Sequence, residues 1–369
     1  MQGPGSAGFD YLRIGLAIAV LAWHSVILST GSGSLDRALW SGPFRFLPAA
    51  ILPMFFALSG FLVAGSLTRT KLHQFATLRA LRLVPALAVE ITLSALILGP
   101  SLTTLPLAAY LSSPEVGRYF GNIIGFVHFT LPGVFETNPV PRLVNYQLWT
   151  LPYELECYLS LVALAAAGLV RNRRFFLQMV VAISLVATVW ALGFEPVNPF
   201  THVPGRALVL SFLAAVGLHL YRDKIPCSPA LGIGSGVVAA ALLQAPTAAY
   251  LAPVPVAYFT VWLGLMRPPR IPFGDLSYGV YLFHFPIEQT IVRIFPEANS
   301  WSRLTLAALP PTLFCAWLSW NCVERPILSR KKLILAAVDR GWAAVVGRES
   351  PAPPPIAAPE RAAGVAPAE

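Results

Sequence analysis

The stretch "RIGLAIAVLAWHS", residues 13–25, sets a guanidinium at one end of an apolar run and an imidazole near the other. On an α-helix the eleven steps from one to the other turn through about 1100°, about 20° past three full turns, and rise roughly 16 Å. Arg13 and His24 therefore share one helix face. An imidazole is suited to act as a general base toward a hydroxyl, and a guanidinium is suited to phosphate oxygens. Arg13 also fits an interfacial anchor with a snorkelling stem, and His24 also fits a hydrogen-bonded packing residue.

Three further stretches carry groups capable of chemistry. In "FGDLSYGVYLFHFPIEQ", residues 273–289, Ser277, Tyr281, His284 and Glu288 follow an i, i+4, i+7, i+11 spacing and form a polar stripe on one helix face. Pro286 lacks an N–H, so it should kink that helix and free a backbone carbonyl just past His284. The hydroxyls of Ser277 and Tyr281 suit a polar seam between helices as well. In "NYQLWTLPYELECYL", residues 145–159, Trp149 and Tyr153 suit either an acceptor surface or an interfacial aromatic belt. Glu154 and Glu156 lie about 200° apart on a helix, so both cannot face one cavity, and Arg142 is a plausible partner for one of them. In "NCVERPILSR", Glu324, Arg325 and Pro326 are expected to end the last membrane helix. With Arg13, and with Arg79 and Arg82 of "LRALRLVPAL", Arg325 would crowd cations around an inward opening suited to phosphate.

The elements that must position these groups follow from composition. Of the 369 residues 56% are hydrophobic and 12% charged, with a mean hydropathy of +0.65. That is the balance of an all-α, polytopic membrane protein. About ten apolar runs stand out, near 11–29, 46–67, 84–99, 146–170, 175–194, 203–221, 230–246, 249–266, 275–295 and 303–322. Lys and Arg collect in every even-numbered connection, for example "RNRR" at 171–174 and "SRKK" at 329–332, which puts both termini in the cytoplasm. Arg37, Arg45, Arg118 and Arg142 are the outward exceptions. The first run has no small-residue cleavage site after it, so it reads as an uncleaved helix.

The net charge of +9 sits mostly on the inward loops and points to anionic lipid headgroups or a phosphorylated ligand rather than to nucleic acid. Cys157, Cys227, Cys315 and Cys322 show neither metal spacing nor a disulfide framework. No GxSxG, HExxH, Walker A or dinucleotide fingerprint occurs. A single membrane domain, 9–330, is expected, followed by a cytoplasmic juxtamembrane segment, 331–349, and a disordered Pro/Ala-rich tail, 350–369. The long outward loop, 100–145, should be ordered by its aromatic residues.

These stretches, in this order, resemble the integral-membrane acyltransferase 3 family. The matching motifs are the arginine and histidine of the first helix, "FFALSGFL" at 55–62, "RALRLVPAL", "LPGVF" with "NP", "LWTLPYE", "SYGVYLFHFP" and a closing "ERP". The resemblance runs from Phe9 to about Ser329. It implies an O-acyltransferase that takes an acyl group, most often acetyl, from cytoplasmic acyl-CoA and delivers it to a hydroxyl of an exported or surface glycan, in the inner membrane of a bacterium. No tightly bound cofactor and no metal is implied; membrane lipids, acyl-CoA and a glycan or lipid-linked sugar are the expected partners. By the resemblance His24 is catalytic, Arg13 contacts the donor, and Arg79 and Arg82 assist. Glu154 and His284 complete the candidate catalytic set, Arg325 the donor contacts, and Asn145, Trp149, Tyr153 and Tyr281 the acceptor contacts. Glu324 matches a motif position without an assigned role. Some members carry a hydrolase-like extracytoplasmic domain after the last helix; the short tail here would leave the whole transfer to the membrane domain. A proton-coupled secondary transporter with His24, Glu154 and His284 as relay groups is the rival reading, and the inverted repeats that would favour it are not evident.

Overall fold

The computed structural model describes residues 7–30, 34–194, 203–269, 271, 274–297 and 300–346. The expected disordered tail lies outside them. Among the described residues the regular structure is helical, with one isolated bridge, Thr130 to Leu143, and no strand. In order the helices are α1 (Ala7–Thr30), α2 (Ser34–Ser41), α3 (Phe46–Leu67), α4 (Leu72–Leu93), α5 (Gly99–Leu102), α6 (Leu107–Ser112), α7 (Pro114–Tyr119) and α8 (Leu151–Ala166). They continue with α9 (Arg173–Phe194), α10 (Gly205–Leu220), α11 (Pro229–Gln244), α12 (Pro253–Gly264), α13 (Ser277–Ile294), α14 (Trp301–Ser319), α15 (Arg325–Ser329) and α16 (Lys331–Val346).

Each of the ten apolar runs carries a helix. Five helical stretches are long and apolar enough to cross a membrane: Ala7–Ser29, Phe46–Leu67, Leu72–Leu102, Arg173–Phe194 and Trp301–Ser329. The chain is a multi-pass membrane protein. Helices α10, α11 and α12 are apolar but shorter, at 16, 16 and 12 residues, below the roughly 20 that span a bilayer unaided. Every residue of α10 from Ala207 to His219 is buried, the pattern of a helix enclosed by others on all sides. It packs chiefly on α3, and Gly60 marks the contact: a Cβ there would strike the backbone of Phe212. The outer face of α9 exposes Val186, Val189, Trp190 and Leu192, as a lipid-facing helix does.

Two boundaries differ from the sequence reading, and both bear on the site. Arg79 and Arg82 do not lie in an inward loop, because α4 begins at Leu72 and continues through a π-helical turn, Ser94–Leu98, and α5 to Leu102. Both guanidiniums share the buried face of α4 with Phe75, Leu83 and Ala86, and Arg82 is tolerated there because it pairs with Asp275 and Glu324. Glu324 and Arg325 likewise do not end the last long helix. The helix runs through a π-helical turn, Trp320–Glu324, into α15, and the wider turn faces Glu324 inward while Arg325 stays exposed. Beyond it α16 docks on the first turn of α4. His73 Nε2 lies 2.6 Å from an Asp339 oxygen, Gln74 donates to the other oxygen at 2.8 Å, and Trp342 stacks on His73. The His73 hydrogen bond holds the Asp339 carboxyl below its ordinary pKa.

The loop of residues 103–145 is ordered, as its aromatics suggest: Tyr110, Tyr119 and Phe135 are buried. Asn138 donates to the Gln289 carbonyl at 2.9 Å, and Gln289 donates to the carbonyls of Val140 and Leu143. These bonds pin the loop to the end of α13.

Candidate functional site

Helices α1 and α13 lie side by side and parallel, Arg13 beside Asp275 at their starts and His24 beside His284 further along. Arg13 and His24 thus face the same neighbour, as the helical arithmetic requires. The stripe Ser277, Tyr281, His284 and Glu288 also faces one way: Ser277 and Tyr281 line a cavity, His284 meets His24, and Glu288 accepts from Ser25.

Near the start of α1 a charged hub joins four elements. Arg13 donates to Asp275 Oδ2 at 2.8 Å, and Arg82 of α4 donates to the same oxygen at 2.6 Å. The second Arg82 nitrogen reaches Glu324 at 2.8 Å, and Ser319 donates to the other Glu324 oxygen at 3.1 Å. Ser277 donates its hydroxyl to Asp275 Oδ1 at 2.5 Å. Two guanidiniums and two carboxylates balance within the hub. Arg79 stands apart: it lies over the Phe75 ring, and its buried Nε–H has no hydrogen-bond partner among the described residues.

The hub borders a cavity of about 150 Å³, walled by Arg13, Arg79, Arg82, Ser59, Glu154, Thr150, Tyr158, Tyr278 and Tyr281 among apolar side chains of α3. A second chamber, of about 70 Å³, is walled by His24, Trp23, Trp40, Tyr146, Trp149, Ala49, Leu52 and Tyr281. Leu52 and Tyr281 stand in both walls. The arginines line only the first space, and His24 lines only the second.

The hydrogen bonds of the two histidines set their tautomers. His284 Nδ1 lies 3.1 Å from the Val280 carbonyl, which can only accept, so His284 carries its proton on Nδ1 and offers Nε2 as an acceptor. His24 Nδ1 lies 2.7 Å from that nitrogen and must be the donor. The lone pair of His24 is then on Nε2, the nitrogen a general base needs. The contact with His284 fixes the ring, and the bond would strengthen if His24 took a proton and became charged. We expect His284→Phe to lower the transfer rate about 100-fold and to alter its pH profile, while Gln, which can still accept, restores part of it; initial rates over pH 5–9 measure both.

Of the remaining predicted residues, Glu154 faces the arginine-lined cavity and accepts from Tyr158 at 2.6 Å, whereas Glu156 is exposed. Arg142 is exposed and pairs with neither. Trp149 lines the His24 chamber. Tyr153 does not; its ring packs on Gly205 of α10. Asn145 also lies away from both cavities, buried and donating to Glu90 at 2.9 Å and to Tyr119. Arg325 lines neither cavity. Pro286 leaves the Leu282 carbonyl without a helical partner, and Gln147 Nε2 fills that place at 2.8 Å. Gln147→Leu should cost about 1–3 kcal/mol by orphaning that carbonyl, read as a lowered thermal midpoint in detergent.

Sequence reasoning missed Asp275, Ser25, Gln147 and Glu90. Glu90 was findable, because a carboxylate inside an apolar run is a warning by itself. Asp275 was not, because its partners come from three separate helices.

The family model described as "Acyltransferase domain" matches residues 6–320. The chain belongs to the acyltransferase 3 family. This acyltransferase is 26% identical to the "O-acetyl transferase" of Shigella phage Sf6 across 87% of this chain and 96% of the phage protein. It is 27% identical to "Nodulation protein 10" of Rhizobium leguminosarum bv. viciae across 89% and 95% of the two chains. "Peptidoglycan O-acetyltransferase OatA" of Listeria monocytogenes is 24% identical across 86% of this chain, which spans 55% of that longer protein. No solved structure matches the chain. The acyltransferase is therefore an acyl-transferring enzyme of the membrane, and a relay-only transporter is set aside.

Proposed function

We propose that the enzyme O-acetylates an exported or cell-surface glycan, drawing acetyl from cytoplasmic acetyl-CoA. The observation that carries this reading is the pair of spaces sharing Leu52 and Tyr281, one walled by arginines and the other by His24. The names of the phage and Listeria relatives support acetyl as the group and, for the latter, a glycan as the acceptor. The basic even-numbered connections support ten crossings with both termini and the arginine-lined mouth on the cytoplasmic side, in a bacterial inner membrane.

In this reading the donor's phosphates rest against Arg79, with Arg13 and Arg82 completing a cationic wall that Asp275 and Glu324 hold in place. The thioester end passes Tyr281 and Leu52 to the His24 chamber. His24 Nε2 takes the proton of the acceptor hydroxyl while its oxygen bonds to the thioester carbonyl carbon. The C–S bond then breaks, and the thiolate of CoA leaves with the proton returned by His24, giving an ester and free CoA-SH. Trp149 and Tyr146, in the chamber wall beside the pinned outward loop, meet the acceptor.

Mass spectrometry of surface glycans from cells with and without the gene tests this. An ester-linked mass shift of one acetyl group, present only with the gene and removed by mild base, is expected. Unchanged glycans in both strains would overturn it.

A further inference from the structure

We propose that Leu52 and Tyr281 form an acyl-length filter that passes acetyl to His24 and turns longer chains away. The inference rests on the acyl-CoA donor reading above and adds the chemical limit on the group transferred. These two side chains stand in the walls of both cavities, so the proposed route from the arginine side to His24 runs past them. Tyr281 is not free to swing aside. Its hydroxyl is held by the Gln147 carbonyl at 2.6 Å and by Thr150 at 2.5 Å, and Gln147 is itself tied to Leu282 at 2.8 Å.

The space beyond is about 70 Å³, less than half of the donor-side cavity of about 150 Å³. Its walls include Trp23 packed edge-on against Trp40 at 5.6 Å, and such rings do not yield to an added methylene. Leu52 is the pliable member, since it carries no polar group and no hydrogen bond fixes its side chain. Leucine to alanine removes three carbons, more than the two methylenes that separate butyryl from acetyl.

The test uses native membranes containing the full chain, supplied with radiolabelled acetyl-, propionyl- or butyryl-CoA, and follows ester-linked label and free CoA. The wild type should transfer acetyl at least about ten-fold faster than butyryl. Leu52→Ala should raise the butyryl-to-acetyl ratio about ten-fold or more, Leu52→Val should fall between, and Leu52→Phe should depress propionyl further relative to acetyl. If Leu52→Ala loses all transfer, the Val variant decides by the same ratio. Equal use of acetyl and butyryl by the wild type, or an unchanged ratio in an active Ala or Val variant, overturns the filter while leaving the donor reading intact. Absence of transfer from every acyl-CoA by the wild type overturns the donor reading and the filter with it.

Discussion

Replacing His24 with alanine is expected to lower acyl transfer by about a thousand-fold or more while the protein remains folded in the membrane. In the proposed mechanism His24 supplies the base nitrogen at Nε2, a tautomer fixed by the chain of bonds from Nδ1 through His284 to the Val280 carbonyl. No other imidazole among the described residues lines either cavity, so nothing in the site substitutes for it. The ring is 6% exposed and packs edge-on against Phe285 at 5.2 Å. Its removal leaves a small cavity and the buried His284 Nε2 without its donor, a loss of a few kcal/mol. His24→Gln, similar in bulk but without a titrating nitrogen, separates chemistry from packing. It should be as inactive as the alanine variant and as stable as the wild type by thermal scanning in detergent.

The second large effect is expected from Asp275. Its Oδ2 accepts from both Arg13 and Arg82, and alanine leaves the two guanidiniums facing each other without a shared anion. Breaking a fully buried pair costs about 3–5 kcal/mol; at 16% side-chain exposure for Asp275, with Arg82 still bonded to Glu324, about 1–3 kcal/mol is expected. The kinetic consequence is a rise of about ten-fold or more in KM for acyl-CoA, with kcat reduced much less, because the cationic wall is displaced and the His24–His284 pair is not. Asp275→Asn keeps an acceptor for one guanidinium and should fall between. A loss confined to kcat would contradict the assignment of the hub to donor positioning.

How much of this was legible beforehand depends on how local each feature is. The common face of Arg13 and His24 follows from one helix's geometry, and so does the stripe from Ser277 to Glu288; both were readable and both meet across the α1–α13 contact. The carbonyl freed by Pro286 was predictable from proline's missing N–H, although its partner, Gln147, comes from a turn 135 positions away in the chain. Arg79 and Arg82 illustrate the limit of reading charge as a loop marker. A basic helix end continues a membrane helix outward just as well as it starts a loop, and only the burial of Phe75 and Leu83 decides between them. Asp275, Glu324 and Ser319 become a hub only after three helices and a π-helical turn assemble, so no spacing announces them. Asn145 and Tyr153 have the chemistry of a sugar-binding surface, yet the fold spends them on pinning a loop and packing on α10.

The central claim is that donor and acceptor meet at His24 from opposite sides of the membrane. Sealed, oriented membrane vesicles containing the full chain, given radiolabelled acetyl-CoA on one side at a time, measure this directly. Ester-linked label on the glycan should form only when acetyl-CoA is added to the cytoplasmic side, and His24→Gln should abolish it. Equal labelling from the outer side, or undiminished labelling by that variant, would contradict the account.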